Sequence, residues 1–308
     1  MAADPFLRDH APPIGRPEPL APGLVAVTAP NAGPMTFTGT RTYVLGAAEV
    51  AVIDPGPDDP AHLDAVAAAL TPGARVAAIL VTHAHRDHSA GARAFAARFG
   101  APVLGFGAPV RSPAMARLAA GGALGGGEGI DADFRPDATL ADGARLTGEG
   151  WTLEAIHTPG HLGDHLCFAW AEGAALFSGD TVMAWATTLI SPPDGDLAAF
   201  LASLDRLAAR TERRYFPGHG PALEDAHDMI AWQRAHRAER EAQIRAALRP
   251  VPVAIPELVA AVYPGLDPAL APAAGRNVLA HLIDLADRGL VRVEGPIGPS
   301  ACFAAPDP

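Results

Sequence analysis

Three histidines and an aspartate fall within six residues, His83-Ala84-His85-Arg86-Asp87-His88, just after the apolar run Val76–Val81. A continuous apolar run of that length reads as a buried strand. A loop leaving the end of such a strand can turn alternate side chains toward one point. Imidazole nitrogens and carboxylate oxygens suit borderline and hard divalent cations, zinc foremost. A lone histidine on an apolar face is usually packing, but this density is not. The chain must therefore fold so that a sheet edge carries a metal site, with four ligand groups in one loop that could serve two ions.

Three distant residues stand in matching settings. His161 lies in Thr158-Pro159-Gly160-His161, Asp180 in Ser178-Gly179-Asp180 and His219 in Pro217-Gly218-His219-Gly220. Each follows a predicted strand and a glycine, which lets backbone approach closely. The repeated order of strand, glycine, ligand implies that they collect at the same sheet edge as the first run.

The rest of the pattern supplies two β-rich halves with helices between them, which suggests packed sheets covered by helices. Strands are predicted at 24–28, 42–45, 50–53, 76–81 and 102–105, and again at 151–157, 166–170, 174–178 and 214–216. Helices are predicted at 58–70, with Pro60 in the first turn, at 89–99 and at 196–209. Residues 1–23 are proline-rich and read as an extended arm. Gly121–Gly129 holds six glycines and reads as a loop. The segment 107–148 otherwise gives no clear pattern. A long helix follows over 226–248, ending at Pro250. Beyond it, helical spacing at 255–262 and 275–288 precedes strands at 290–294 and 301–304, a winged-helix-like order. The division expected is an arm (1–23), a catalytic domain (24–225), a connecting helix (226–250) and a small domain (251–308).

At 308 residues the chain can form one large and one small core. Its formal net charge of −11 argues against strong non-specific nucleic-acid binding. It has no lysine, so any substrate anion must be held by arginine, histidine, metal or backbone N–H. Cys167 and Cys302 are too far apart for a CxxC site or a disulfide framework, which fits a reducing compartment. The opening residues lack a signal-peptide apolar run and no stretch is long enough to span a membrane, so a cytoplasmic protein without membrane partners is expected.

Thr82-His83-Ala84-His85-Arg86-Asp87-His88-Ser89-Ala90-Gly91, together with Thr158-Pro159-Gly160-His161, Gly179-Asp180 and Gly218-His219-Gly220, resembles the metallo-β-lactamase superfamily across about residues 20–225. The resemblance implies an α/β (α+β) fold, an αββα sandwich, with two divalent ions, zinc foremost. It implies that His83, His85 and His161 hold one ion, that Asp87, His88 and His219 hold the other, and that Asp180 bridges them. Asp54, ending Val52-Ile53-Asp54, matches an early aspartate that orients ligands. Two ions about 3.5–4 Å apart can share a hydroxide that serves as the nucleophile, with Asp87 and Asp180 as the catalytic carboxylates.

The dedicated β-lactamases of the commonest dinuclear subclass carry a cysteine where Asp180 stands. Asp180 and His219 are only 39 positions apart, too close for the insertion of β-CASP ribonucleases. The stretches Thr187–Leu197 and His236–Ile244, with the small C-terminal domain, resemble the β-lactamase-like protein 2 group. That similarity implies a hydrolase of ester, thioester or phosphodiester substrates, single-stranded RNA among them. A glyoxalase II-like thioester hydrolase, a mononuclear-iron enzyme like the sulfur dioxygenases, and a binding protein with a degenerate site are the competing readings. Arg41, Leu162 and Ala90 depart from the pattern, and the first two could alter the pocket.

Residues 251–308 carry three arginines against six acids, so no duplex DNA binding is expected of them. Arg234, Arg237, Arg240, Arg245 and Arg249 on the long helix could clamp an anion; the simpler reading is a solvated face with local ion pairs. His236 reads as packing between the domains, with substrate contact as the alternative. His157, His165 and His227 are not needed as ligands, and His165 reads as packing, with support of a ligand as the alternative. The sequence fixes no oligomeric state.

Overall fold

A computed structural model describes residues 4–122 and 129–306; most of the expected glycine loop, 123–128, lies outside the described residues. A seven-stranded sheet runs in chain order: β1 (Pro17–Ala21), β2 (Leu24–Thr28), β3 (Arg41–Gly46), β4 (Glu49–Ile53), β5 (Arg75–Leu80), β6 (Val103–Gly105) and β7 (Ala138–Thr139). A five-stranded sheet contains β8 (Arg145–Gly148), β9 (Trp151–His157), β10 (Leu166–Trp170), β11 (Ala175–Gly179) and β12 (Arg214–Pro217), ordered β12-β11-β10-β9-β8. The helices are α1 (Pro60–Ala68), α2 (Arg86–Ser89), α3 (Ala92–Phe99), α4 (Pro113–Ala120), α5 (Leu197–Ala208), α6 (Ala226–Ala247), α7 (Ile255–Val262) and α8 (Ala271–Asp287). Three short strands, β13 (Val253–Ala254), β14 (Arg292–Glu294) and β15 (Cys302–Ala304), form a ribbon ordered β13-β15-β14.

The two-residue period of the strands dictates the layers. On β2 and β4, Leu24, Ala26, Ala51 and Ile53 point inward and meet Leu153, Leu166, Phe168 and Phe177 of the second sheet. The alternate residues Val27, Val50 and Val52 point outward and are covered by Leu63 and Val66 of α1 and Phe95 of α3. The outer face of the second sheet, including Cys167, Leu176 and Tyr215, packs under Leu197, Phe200 and Leu204 of α5 and Met229 and Ile230 of α6. The order is helix, sheet, sheet, helix, and a small helical domain with its own core follows. Local signals set the helix starts: Asp59, Asp196 and Asp225 each accept backbone N–H bonds at the N-termini of α1, α5 and α6.

Several elements differ from the sequence expectation. The end of the arm is a strand, β1, paired antiparallel with β2, and Phe6 further up packs edge-on against Trp232 of α6. The expected helix at 89–99 is two helices, and the first, α2, contains Asp87 and His88, so only His83 and His85 lie in the loop proper. The uninterpreted 107–148 segment contains α4, β7 and β8; Met115 and Leu118 of α4 join the core of the C-terminal domain. α8 begins four residues earlier than predicted, with Pro272 tolerated in its first turn. The C-terminal ribbon has a third strand, β13.

α8 is buried on both sides, in its own domain's core and, through Ala280, against α5 and α6. Beside Ala280, His281 is 1% exposed and neither ring nitrogen has a hydrogen-bond partner. Burial, then the charges of Arg237 and Arg240, hold it down to about 3. The folded state therefore keeps His281 neutral while the unfolded chain takes up a proton below about pH 6.5. Stability is full above that pH and falls as pH drops from 6.5 toward 3. His281→Leu should remove a buried unpaired N–H, raising stability by about 1–2 kcal/mol at pH 7.5, and the gap should widen by up to about 2 kcal/mol at pH 5. Urea unfolding of both proteins at the two pH values measures this; a gap that narrows on acidification contradicts it.

Candidate metal centre

The C-terminal ends of β4, β5, β9, β11 and β12 meet at one edge of the sandwich, and the loops after them carry the ligand-type residues. His83, His85, His161 and Asp180 place donor atoms within 4.8 Å of one another, as do Asp87, His88 and His219. In the first group His85 Nδ1 lies 2.9 Å from His83 Nε2 and 3.0 Å from His161 Nε2. Asp180 Oδ2 is 4.0 Å from His83 Nε2 and 3.6 Å from His161 Nε2. In the second, Asp87 Oδ2 lies 3.3 Å from His88 Nε2 and 3.2 Å from His219 Nε2. Asp180 reaches this group too, with Oδ1 3.6 Å from His88 Nε2 and Oδ2 3.5 Å from His219 Nε2. All seven sequence-derived ligand candidates are thus brought together, with Asp180 between two groups.

These spacings match a cation's coordination shell: ligand bonds of about 2.0–2.1 Å in a tetrahedron give edges of about 3.3 Å. The far nitrogens make the stronger case. His161 Nδ1 donates to the Leu189 carbonyl (2.9 Å), His219 Nδ1 to the Gly39 carbonyl (3.3 Å), and His88 Nδ1 to Asp54 Oδ2 (2.9 Å). His83 Nδ1 donates to Thr82 Oγ1 (2.9 Å), whose own hydrogen goes to Asp54 Oδ2 (2.8 Å). Each such ring gives one proton to an outward acceptor and aims its other nitrogen inward, the orientation that ligation requires. Asp180 Oδ1 is buried with no hydrogen-bond partner. Lone pairs and carboxylates converging in a buried space call for a cation, and the residues present fit a metal.

The electrostatics divide the two groups. Burial, reinforced by the neighbouring histidines, holds His83 far below its usual range, and burial with His161 holds His85 down to about 3. Burial also disfavours a charged His88 or His219, but carboxylates overcome it. Asp87, Asp180 and Asp54 raise His88 well above its usual range, and Asp180 and Asp87 raise His219 to about 9. Asp87 and Asp180 are held as carboxylates despite burial by those same histidines. A divalent ion at the second group therefore replaces protons, so its binding releases them.

Glycine makes the approach possible. A Cβ on Gly218 would lie 2.6 Å from Asp180 Oδ1 and from His88 Cε1. Gly160 has φ +143°, and a Cβ there would lie 2.4 Å from the Phe200 backbone.

Residues not singled out as site groups complete the support. Thr40 Oγ1 donates to Asp87 Oδ2 (3.0 Å). His165 sits flat against His83, donates from Nδ1 to Thr158 Oγ1 (2.9 Å) and accepts the Asp180 N–H at Nε2 (3.1 Å), so it anchors Asp180. Asp164 accepts the Ala84 N–H, and burial raises its carboxyl to about 7. Thr188 Oγ1 donates to the Asp180 carbonyl (2.8 Å). Adjacency was the available signal: Thr40 follows Gly39, and His165 and Asp164 sit in the segment between His161 and β10. Of the departures, Leu162 lines the site cavity, whereas Arg41 turns away to Glu18 (2.7 Å) and Thr28. Ala90 caps α2.

The long helix also needs correction. Arg237 is buried, with no carboxylate partner among the described residues: it donates to the Thr188 carbonyl and to Asn277 Oδ1 of α8 (3.3 Å). Neither an anion clamp nor a solvated ion pair describes it. Arg234 does pair with Asp205, and Arg245 with Glu241 at 4.0 Å. His236 stacks on Trp232.

A mixed α/β sandwich of two sheets between helices, with paired His/Asp groups at one edge, defines a class. The metallo-beta-lactamase superfamily family matches residues 35–219, and the beta-lactamase associated winged helix domain matches residues 254–297. The chain belongs to the metallo-beta-lactamase superfamily and carries a C-terminal winged-helix domain. It is 32% identical over 289 residues to a beta-lactamase-like protein 2 homolog of Drosophila melanogaster, covering 89% of this chain and 91% of that one. It is 30% identical over 240 residues to an atrochrysone carboxyl ACP thioesterase of Aspergillus chevalieri, covering 77% of this chain and 70% of that one. A beta-lactamase domain protein of Burkholderia ambifaria shares the fold, with a TM-score of 0.79 at 24% identity over 96% of this chain and 95% of that one.

Asp54 holds His88 directly and His83 through Thr82, and its Oδ1 accepts the Thr82 N–H (2.7 Å). Asp54→Ala should weaken metal binding by about 10- to 100-fold, with Asp54→Asn intermediate. Competition with a chromophoric chelator measures it; unchanged affinity in a folded Asp54→Ala protein contradicts the assignment.

Proposed function

We propose that the protein is a dinuclear metal-dependent hydrolase acting on carboxylic esters and thioesters. The observation that carries this reading is the placement of Asp180 between two buried groups of inward-facing donors. His83, His85 and His161 would hold one ion and Asp87, His88 and His219 the other, with Asp180 shared; zinc is the ion that the ligand set suits best. Such ions, when bound, polarise the substrate oxygen and lower the pKa of a coordinated water from 15.7 to about 7.

The chain's own residues set the rest. His85, Asp87, His161, Asp180 and His219 line a cavity of about 270 Å³, and Met35, Leu162 and Leu189 give it apolar wall. That wall receives the acyl part of a substrate and keeps bulk water off the reacting carbon. Asp87, ionised and partly exposed to the cavity, orients the attacking water, while Thr40 fixes the angle of its carboxylate. Asp180 stays ionised and holds positive charge at the centre of the site. Thioesters are favoured over RNA because relatives at this level of identity include an ACP thioesterase and because the chain is strongly acidic. We propose also that the winged-helix domain shapes the cleft and binds no duplex.

The test is metal content measured beside turnover of S-lactoylglutathione, bis-p-nitrophenyl phosphate, single-stranded RNA and nitrocefin. Two ions per chain with thioester turnover is the expected result. Asp180→Ala and His83→Ala should lose at least about 10³-fold in activity, the several kcal/mol that the ions contribute, and lose metal in parallel. Full turnover by metal-free mutant protein sinks the reading. One iron per chain with oxygen uptake would replace it with an oxidoreductase.

A further inference from the structure

The metal cavity is not closed by the catalytic domain alone. Arg276, from α8 of the C-terminal domain, lines it together with Ser191 and Asp194 from the loop before α5. Arg276 is half-buried, and no hydrogen bond or ion pair engages it among the described residues; its Nε is buried and unpartnered. The Ser191 hydroxyl, on the same wall, is also buried without a partner. An unpaired buried donor costs about 1–3 kcal/mol, so two on one cavity wall call for an acceptor that comes and goes. Asp194, the nearby acid on this wall, is already engaged by Arg111 at 2.7 Å. The position of Arg276 is also held firmly. Its neighbour Asn277 accepts from Arg237, which in turn donates to Thr188 three residues before Ser191, so one buried guanidinium ties α8 to the loop.

We propose that Arg276 and Ser191 form a specificity subsite for an anionic group, a carboxylate or a phosphate, on the substrate's far end from the scissile bond. In a chain without lysine, Arg276 is, among the described residues, the free cation that this cavity offers such a group. The proposal rests on the hydrolase reading for the word substrate, but the binding it predicts does not need turnover. The subsite makes the enzyme selective for acids whose second charge lies a few bonds from the carbonyl, and assigns the winged-helix domain the task of selecting them.

Equilibrium binding to the metal-loaded full-length protein tests it. Butyrate is compared with succinate, glutarate and adipate, and with 3-phosphonopropionate, so that one carboxylate engages the metal side and the second group probes Arg276. At least one diacid should bind about tenfold tighter than butyrate, the effect of one charge-assisted contact. Arg276→Met should abolish that ratio, Arg276→Lys should retain part of it, and Ser191→Ala should reduce it; metal content checks that each variant is folded. No diacid preference in the natural protein, or a preference that survives Arg276→Met, overturns the proposal. A preference for the phosphonate over every dicarboxylate identifies a phosphate-bearing substrate, and the reverse a dicarboxylic one. Diacid preference without turnover of any ester or thioester removes the hydrolase reading and leaves the subsite; turnover without the preference does the opposite.

Discussion

Imidazole rings that turn their inner nitrogens toward one another set the terms for everything else in this molecule. Such an arrangement calls for a metal ion or for protons at its centre, and each ring holds its orientation because something accepts its outward proton. Those acceptors come from four places: the Leu189 carbonyl, the Gly39 carbonyl, Thr82 and Asp54. The sandwich is the scaffold that delivers them. Parallel pairing of β4 with β5 and of β11 with β12 puts the ends of four strands on one side, and ligands and acceptors ride on the loops that leave them.

Asp54 shows how much one residue can carry. Its backbone adopts φ 49°, a left-handed conformation that aspartate tolerates better than most residues. From that turn its two oxygens collect the Thr82 N–H, the Thr82 hydroxyl and His88, so the early strand of the first sheet disciplines both ligand groups. Asp180 receives comparable care from its own surroundings: His165 on its N–H and Thr188 on its carbonyl.

The clustered histidines and aspartates were legible in the sequence because four of them crowd one short run after an apolar strand and the other three each follow a glycine at the end of such a run, a pattern that packing alone does not produce. Strands such as Val50–Ile53 and Leu166–Trp170 were legible because two-sided burial demands unbroken apolar character. What escaped was set by pairing or by cover rather than by local composition. β1 and β7 are strands because neighbours supply hydrogen-bond partners, and Pro17-Glu18-Pro19 gives no hint of that. α4 was hidden in a segment of mixed character, and its apolar face makes sense only once the C-terminal core it joins is known. Arg237 reads as one charge among several on a helix, and nothing in its neighbours along the chain tells that α5 and α8 bury it. Arg276 is similar: its cavity is built by residues some 85 positions upstream.

Arg237 also changes what the two domains are to each other. By sequence the chain is a catalytic module with a small domain appended after a linker helix, a design that suggests parts free to be exchanged. The guanidinium on that helix bonds at once to the loop that orients His161 and to the helix that presents Arg276. Recombining this C-terminal domain with another catalytic unit would therefore not be a matter of joining ends. The two halves share an internal charge, and a lineage that altered either side of that contact would have to alter the other in step.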